Sequence, residues 1–425
     1  MSDTIDLISK PLGDIAKTFA GGTPSRAIPE FFGGNIPWVK STEVNQSFVD
    51  RTEEHITDKA IKSSSAKWVK NGSVLVAMYG ATAGQVSELK IDAATNQAVL
   101  AIDSDGSVSN KFIYYYLINA KEKLLYLAQG SGQPNLSKTL VDSLVIKYPS
   151  LDKQHKIAKI LTTIDQLIEK TQVLIDKHTA IKQGMMADLF TRGIDFSTGQ
   201  LRPPVEQAPH LYKERGFGWI PKDWDVCQLK DYISLVKSGL SRKIVEEDIG
   251  IPVMISGNIQ DGKLDFKNIK YWYRKDPQGA NIENYILDDK DILLCFINSV
   301  EQIGKVCIYR DIGRESIYTT NLFRIKPSEI TESKFLYSLL SSSIVQEEIK
   351  NITKPAINQA SFTTGDFKKI PVPLIDKNEQ DIIVKHLNIV SEKIEKERCL
   401  LEKLRTAKYG LMQDLLTGKV SVKAN

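Results

Sequence analysis

Residues 154–191, QHKIAKILTTIDQLIEKTQVLIDKHTAIKQGMMADLFT, and residues 380–417, QDIIVKHLNIVSEKIEKERCLLEKLRTAKYGLMQDLLT, align without a gap, with 15 identities in 38 positions. A repeat mistaken for part of one domain would misplace every boundary around it, so this duplication decides how the chain is divided. Ile157, Leu161, Ile164, Ile168 and Ile175 in the first copy, and Ile383, Leu387, Val390, Ile394, Leu401, Leu404 and Leu411 in the second, follow the alternating three and four spacing of a heptad seam. Neither copy contains proline. Each therefore predicts one helix, roughly 55 Å long at ~1.5 Å per residue. A helix that long cannot bury its stripe alone, and the other copy is the available partner. A duplication packed on itself has a pseudo-twofold axis, which makes the pair antiparallel.

Outward from the helices, weaker echoes recur in the same order. Leu12-Gly13-Asp14-Ile15 answers Leu229-Lys230-Asp231-Tyr232, and Ile36-Pro37-Trp38-Val39 answers Ile251-Pro252-Val253-Met254. Gly72-Ser73-Val74-Leu75-Val76 answers Lys290-Asp291-Ile292-Leu293-Leu294, and Thr95-Asn96 answers Thr320-Asn321. The chain reads as a variable domain and a helix, twice: domain 1–150, helix 151–191, linker 192–224, domain 225–375, helix 376–425. Runs such as Val74-Leu75-Val76-Ala77-Met78, Ala98-Val99-Leu100-Ala101-Ile102, Ile292-Leu293-Leu294-Cys295-Phe296 and Val306-Cys307-Ile308-Tyr309 predict buried strands. Residues 112–127 and 334–349 predict helices. The expected class is α+β, with two domains of mixed α/β type joined by two long antiparallel helices forming a coiled-coil spacer.

Composition excludes more than it identifies. With Lys+Arg 56 against Asp+Glu 52 in 425 residues, the formal net charge is +4. Residues 1–150 balance 15 basic against 15 acidic groups, and residues 201–375 balance 24 against 23, so a nucleic-acid surface here must gather its cations locally. No apolar run is long enough for a membrane span, and the start lacks the pattern of a signal peptide, so the expected location is cytoplasmic. Cys227, Cys295, Cys307 and Cys399 have no C-x-x-C spacing and read as buried free thiols rather than a zinc site or disulfides.

A search for catalytic chemistry is empty. There is no P-loop, since the Gly-Lys pairs at Gly262, Gly304 and Gly418 are each followed by Leu or Val. There is no G-x-G-x-x-G and no Asn/Asp-Pro-Pro-aromatic run. His55, His155, His178, His210 and His386 are scattered, and Glu88-Leu89-Lys90 resembles only the tail of a nuclease motif. The loops instead carry donors suited to base edges. In the first domain these are Thr23, Ser25, Arg26, Trp38, Lys40, Ser41, Tyr79, Thr82, Asn96 and Gln97, then Ser131, Gln133 and Asn135. In the second they are Ser241, Arg242, Lys243, Ser256, Asn258, Asn298, Ser299, Asn321, Asn358 and Gln359. Any one of these could simply cap a helix or make a turn; as a set, on loops of a duplicated chain, they suggest DNA recognition.

Several motifs carry a family resemblance over essentially the full length. Phe19-Ala20-Gly21-Gly22-Thr23-Pro24-Ser25, Ile36-Pro37-Trp38-Val39, the segment from Val74 through Tyr79-Gly80-Ala81-Thr82-Ala83-Gly84, and Ala94-Thr95-Asn96-Gln97-Ala98 are similar to target recognition domains. Gly216-Phe217-Gly218-Trp219-Ile220-Pro221-Lys222-Asp223-Trp224 resembles the usual lead-in to such a domain, and the ending 410–419 resembles the family's ending. Together they resemble the specificity (S) subunit of type I restriction-modification systems. The second domain departs from the pattern, with Ser238-Gly239-Leu240-Ser241 in place of Gly-Gly-Thr-Pro, and Ile297-Asn298-Ser299-Val300 in place of Tyr-Gly-x-Thr.

The resemblance implies a non-catalytic subunit that reads a bipartite, asymmetric site on double-stranded DNA. It implies two methyltransferase (M) subunits as partners and restriction-translocation (R) subunits in the full complex. S-adenosylmethionine, Mg2+ and ATP would be used by those partners, with no cofactor or metal bound by this chain. The competing classes are a stand-alone DNA methyltransferase or endonuclease, and a coiled-coil scaffold with no DNA role.

Overall fold

The computed structural model describes residues 7–128, 135–356 and 359–422. The chain divides into two units, Met1–Val173 with Glu397–Asn425, and Leu174–Lys396. The long helices span Leu151–Thr191 and Lys377–Leu416, so each contributes one half to each unit. No helix among the described residues is long and apolar enough to cross a membrane.

Each unit is built on one template. In the first, Ile8–Pro11 pairs antiparallel with Val145–Tyr148, immediately before the first long helix. In the second, Asp225–Gln228 pairs likewise with Pro371–Leu374, just before the second. A short 3-10 turn follows the opening strand in both, at Leu12–Asp14 and Leu229–Tyr232. The central sheet of the first unit runs Ala16–Ala20, Val99–Ser104, Val74–Ala77, Val86–Leu89 and Phe48–Val49. Its counterpart runs Ile233–Ser238, Leu322–Pro327, Ile292–Cys295 and Val306–Ile308. The shared 72/290 position explains itself physically: Gly72 has φ +86 and Lys290 φ +70, one left-handed turn that the second copy builds with a non-glycine residue at some cost in strain.

A smaller sheet in each unit is nucleated by a parallel pair. Phe32–Val39 runs beside Ala93–Thr95, with Val39 opposite Thr95, and Ile251–Met254 runs beside Ile317–Tyr318, with Met254 opposite Tyr318. The Asn96 amide donates to the Val39 carbonyl at 2.9 Å, and the Thr319 amide donates to the Met254 carbonyl at 3.0 Å. Asn96 therefore corresponds to Thr319, not Asn321, and the Thr-Asn echo is out of register by two. A dipeptide match carries no hydrogen-bond information, so the ladder overrides it.

The predicted helix 112–127 is present as Asn110–Leu127. The one expected at 334–349 is two, Ser333–Ser341 and Ser343–Ile352. Ser342 sits between them in an extended conformation, its hydroxyl donating to the Leu339 carbonyl at 2.6 Å. A serine run competes for backbone hydrogen bonds in this way and breaks the helix.

Where the long helices begin, the repeat is visible in side-chain chemistry. Gln154 is buried, donates to the Pro149 carbonyl and accepts from the Ser109 amide. Gln380 is buried, donates to the Ile375 carbonyl and accepts from the Thr331 hydroxyl. In the first unit, Ile157 and Leu161 share a core with Met412, Leu415 and Leu416, and Lys408 pairs with Asp165 at 2.6 Å. In the second, Leu189 and Phe190 share a core with Ile383 and Leu387. Of the predicted seam, Ile157, Leu161, Ile164, Ile175, Ile383, Leu387, Val390, Ile394 and Leu401 are buried, whereas Ile168, Leu404 and Leu411 are half-buried. Thr171 and Met412 are buried beside them.

The segment 192–224 is more than a linker. It folds into two hairpins, Ile194–Asp195 with Gln200–Leu201, and Tyr212–Arg215 with Gly218–Pro221, and is fastened to the root of the second long helix. The buried Glu379 carboxylate accepts from Arg202 Nη1 at 2.9 Å, the Ile194 amide at 2.6 Å and Trp224 Nε1 at 2.8 Å. Gly193, at φ +64, passes so close that a Cβ would collide with Arg202, Glu379 and Trp224. The cysteines depart from expectation in part: Cys295 and Cys307 are buried, Cys227 is half-buried, and Cys399 is exposed on the outer face of its helix.

Glu379→Ala leaves Arg202 paired with Asp223 at 2.8 Å alone and strips the buried Ile194 amide and Trp224 Nε1 of their acceptor, a loss of about 1–3 kcal/mol for each donor left unsatisfied. Denaturant unfolding followed by tryptophan fluorescence should show an early transition from Trp224, and Gly193→Ala should lower stability in the same part of the protein.

Candidate nucleic-acid interface

In the first unit the Gly-Gly-Thr-Pro segment lies against the end of the parallel pair. The Gly22 amide donates to the Thr95 carbonyl at 2.9 Å, and a Cβ on Gly21 or Gly22 would strike Thr95 or Ser65. Only glycine permits this approach. Its effect is to bring the exposed Thr23 and Gln97 together, 74 residues apart in sequence, with the Thr23 hydroxyl donating to Gln97. Asn96 uses its side-chain oxygen to accept from the Ala98 amide at 3.1 Å, which shapes the turn beside them.

Trp38, selected from sequence as a DNA-facing residue, is only 2% exposed, and its Nε1 donates to the Gly22 carbonyl at 3.1 Å. It is a core residue that supports the loop. Arg26 lies over the Phe32 ring, 4.4 Å from its centroid, and pairs with Glu54 at 2.7 Å. Lys40 reaches Glu53 at 2.7 Å and Glu54 at 3.2 Å. The hydrogen bond from Arg26, joined by one from Lys40, holds the Glu54 carboxyl below the usual glutamate range, although partial burial pushes the other way. Both cations are thus neutralised where they stand. Ser25 and Tyr79 are exposed, Ser41 and Thr82 half-buried, and Asn135 exposed; Ser131 and Gln133 lie outside the described residues.

The second unit builds a related loop with different chemistry. The Leu240 amide donates to the Tyr318 carbonyl at 2.8 Å, and Gly239 packs against Tyr318 and Thr319. Arg242 is locked to the buried Asp276 at 2.7 Å, and that carboxylate also accepts from Trp272 Nε1 and the Gln278 and Ala280 amides. The Arg242 hydrogen bond leads the others in depressing the Asp276 pKa well below the carboxylate range. Asn258, also selected from sequence, is buried, and its amide group holds its own turn through the Ile255 amide and the Asp265 carbonyl. Asn298 donates to Ser256 at 3.0 Å, linking two loops, while Ser299 and Val300 are exposed beside it. Ser241, Lys243 and Gln359 are exposed and Asn321 is half-buried; Asn358 lies outside the described residues.

Glu88 is engaged by Lys90 at 2.7 Å and Lys111 at 2.5 Å. Among the described residues no group of three or more His, Cys, Asp or Glu could hold a metal ion.

The model of the type I restriction modification DNA specificity domain matches residues 6–177 and again residues 221–405. The chain belongs to this family. The two matches fall on the two copies of the template. A relative, the type I restriction enzyme MjaVIII specificity subunit of Methanocaldococcus jannaschii, is 27% identical over 97% of this chain and 92% of its own. Among solved structures, the type I restriction-modification S subunit of M. genitalium has the same fold, with a TM-score of 0.57 and 16% identity over 98% of this chain and 97% of that one. A chain from a study of complex assembly in the type I system matches at a TM-score of 0.54 and 13% identity, over 97% of this chain and 98% of its own.

Two outcomes test the electrostatics of these loops. Glu54→Gln should free Arg26 while Lys40 keeps Glu53, so that binding to a non-target duplex strengthens and its salt slope steepens by about one, near 0.9 per phosphate newly neutralised; fluorescence anisotropy across a salt series measures it. For Asp276 the folded pKa lies below the unfolded one, so its stabilisation is present above the ordinary aspartate range and is lost only as pH falls through the depressed value. Amide exchange at Gln278 and Ala280, corrected for intrinsic rates, should therefore keep its protection from about pH 7 down to about pH 4.5.

Proposed function

We propose that this chain is the DNA sequence-specificity subunit of a type I restriction-modification complex, a recognition protein rather than an enzyme. The observation that carries the reading is the duplication itself: two units on one template, matched twice by the same family, whose equivalent loops differ in chemistry. Thr23 and Gln97 occupy one, and Ser241, Arg242 and the Asp276 knot the other. Unlike loops on a like frame read unlike sequences, so the site is bipartite and asymmetric. Bases are read through the major groove, where hydrogen-bonding side chains discriminate all four pairs.

In this reading the two long helices are an antiparallel coiled-coil spacer. Their support is the direction of contacts inside the first unit: Ile157 and Leu415 line one cleft, and eight residues further along, Asp165 meets Lys408. The spacer sets the gap between the two parts of the DNA site, and parts about one helical turn apart, ~34 Å, lie on one face of the duplex. Two M subunits and, in the full complex, R subunits are the partners. Adenine methylation with S-adenosylmethionine and the ATP- and Mg2+-dependent cleavage reside in them, and this chain contributes no cofactor site. The apolar Ile160, Leu167, Leu174 and Ile181 are exposed at heptad intervals on the first long helix, a row suited to packing helices of an M subunit.

Methylation mapping of DNA from cells expressing the M and S pair should show a two-part motif with a fixed gap and one methylated adenine on each strand. Deleting one heptad, ~10.5 Å, from both helices should shorten the gap by about 3 base pairs or abolish methylation. Methylation by the purified chain alone would overturn the reading in favour of an enzyme. A reconstituted complex with no sequence preference would overturn it in favour of a scaffold.

A further inference from the structure

The small sheet of the first unit carries an edge strand, Trp68–Val69, on the far side of Ala93–Thr95. In the second unit the equivalent sheet has three strands and ends at Ile317–Tyr318. The extra strand closes a stretch, residues 59–71, with four lysines and no acidic residue. Of these, Lys59 is paired with Glu30. Lys62, Lys67 and Lys70 have no carboxylate within ion-pairing distance among the described residues. The neighbouring Asp92 instead accepts from the Asn71 amide at 2.8 Å.

Strand alternation sends Val69 into the core and leaves Trp68 and Lys70 on the outward face, Trp68 half exposed at 50%. Lys67 reaches over the Phe19 ring, its Nζ 5.8 Å from the centroid. Ser65 and Ala66 abut Gly22, one residue before Thr23. The strand therefore lies beside the Thr23–Gln97 loop.

We propose that this edge, with Lys62, Lys67, Lys70 and Trp68, is a DNA-backbone contact of the first domain that the second domain lacks. The proposal rests on the DNA-recognition reading above and assigns the cations that reading needs. Of the four basic loop residues that the sequence points to, Arg26, Lys40 and Arg242 are already neutralised by Glu54, Glu53 and Asp276, and the exposed Lys243 belongs to the second domain. A cation that keeps its carboxylate displaces few counterions from DNA, whereas a free one displaces its full share. Lysines also guard sheet edges against aggregation, and that alone would account for Lys67 and Lys70. It does not account for an exposed tryptophan between them, which a guarded edge would avoid. Beside a groove-reading loop, the indole packs on sugar and the lysines on phosphate. The two half-sites are then gripped unequally, the first more electrostatically than the second.

The test uses the complex reconstituted with M subunits, carrying either Lys62→Gln, Lys67→Gln and Lys70→Gln together, or Trp68→Ala alone. Binding to a target duplex is measured from low to moderate salt, and the methylated sequence is mapped in parallel. The triple variant should lower the slope of log affinity against log salt by about two to three, near 0.9 for each phosphate no longer neutralised, with the methylated motif unchanged. Trp68→Ala should weaken binding with the slope unchanged. An unaltered slope in the triple variant overturns the proposal, as does failure of that variant, folded by circular dichroism, to assemble with M, which would mark the edge as a protein interface. If the unmodified complex binds no DNA specifically, it is the functional reading that fails.

Discussion

Two helices of 41 and 40 residues cannot each bury a heptad seam against their own turns, and the remainder of the molecule is arranged around that constraint. The first half of one helix and the last half of the other enter the core of the first unit, and the remaining halves enter the core of the second. Each domain is therefore completed by chain from both repeats. At the head of each helix a buried glutamine, Gln154 or Gln380, ties the first turn to the strand before it and to the domain above it. Backbone carbonyls that would otherwise be buried without donors are satisfied there, so the angle between domain and helix is set by hydrogen bonds as well as packing.

The surface proposed for recognition is built differently. Its rigid parts are glycines and buried side chains: Gly21 and Gly22 pressed on Thr95 and Ser65, Trp38 holding the Gly22 carbonyl, and Asp276 gathering Arg242, Trp272 and two amides. Its exposed parts are few and differ between the units. A fixed frame with variable exposed groups allows specificity to change while the mechanical element stays the same. The neutralised arginines are consistent with this division, since a guanidinium held by a carboxylate gives orientation and discrimination more than bulk attraction.

The architecture was legible in sequence where it rests on periodicity. Long proline-free heptads, the repeated strands and the empty catalytic inventory follow from spacing and residue type, which act locally. The Thr-Asn echo and the helix through Ser342 failed where hydrogen bonds to distant or competing groups intervene. Trp38 and Asn258 look like surface donors in a loop-rich segment, and only packing turns them inward. The edge strand Trp68–Val69 is not legible in sequence because two residues carry no period; the signal nearest to it is the acid-free lysine cluster from 59 to 71.

By itself, then, the sequence determined the duplication, the two helices and the family, because identities at constant spacing and a 3.5-residue repeat need no three-dimensional information. Tertiary structure alone decided which polar groups remain exposed and which cations remain unpaired. Burial and ion pairing depend on neighbours far apart in the chain: Thr23 on Gln97, Arg242 on Asp276, and Arg202 on Glu379.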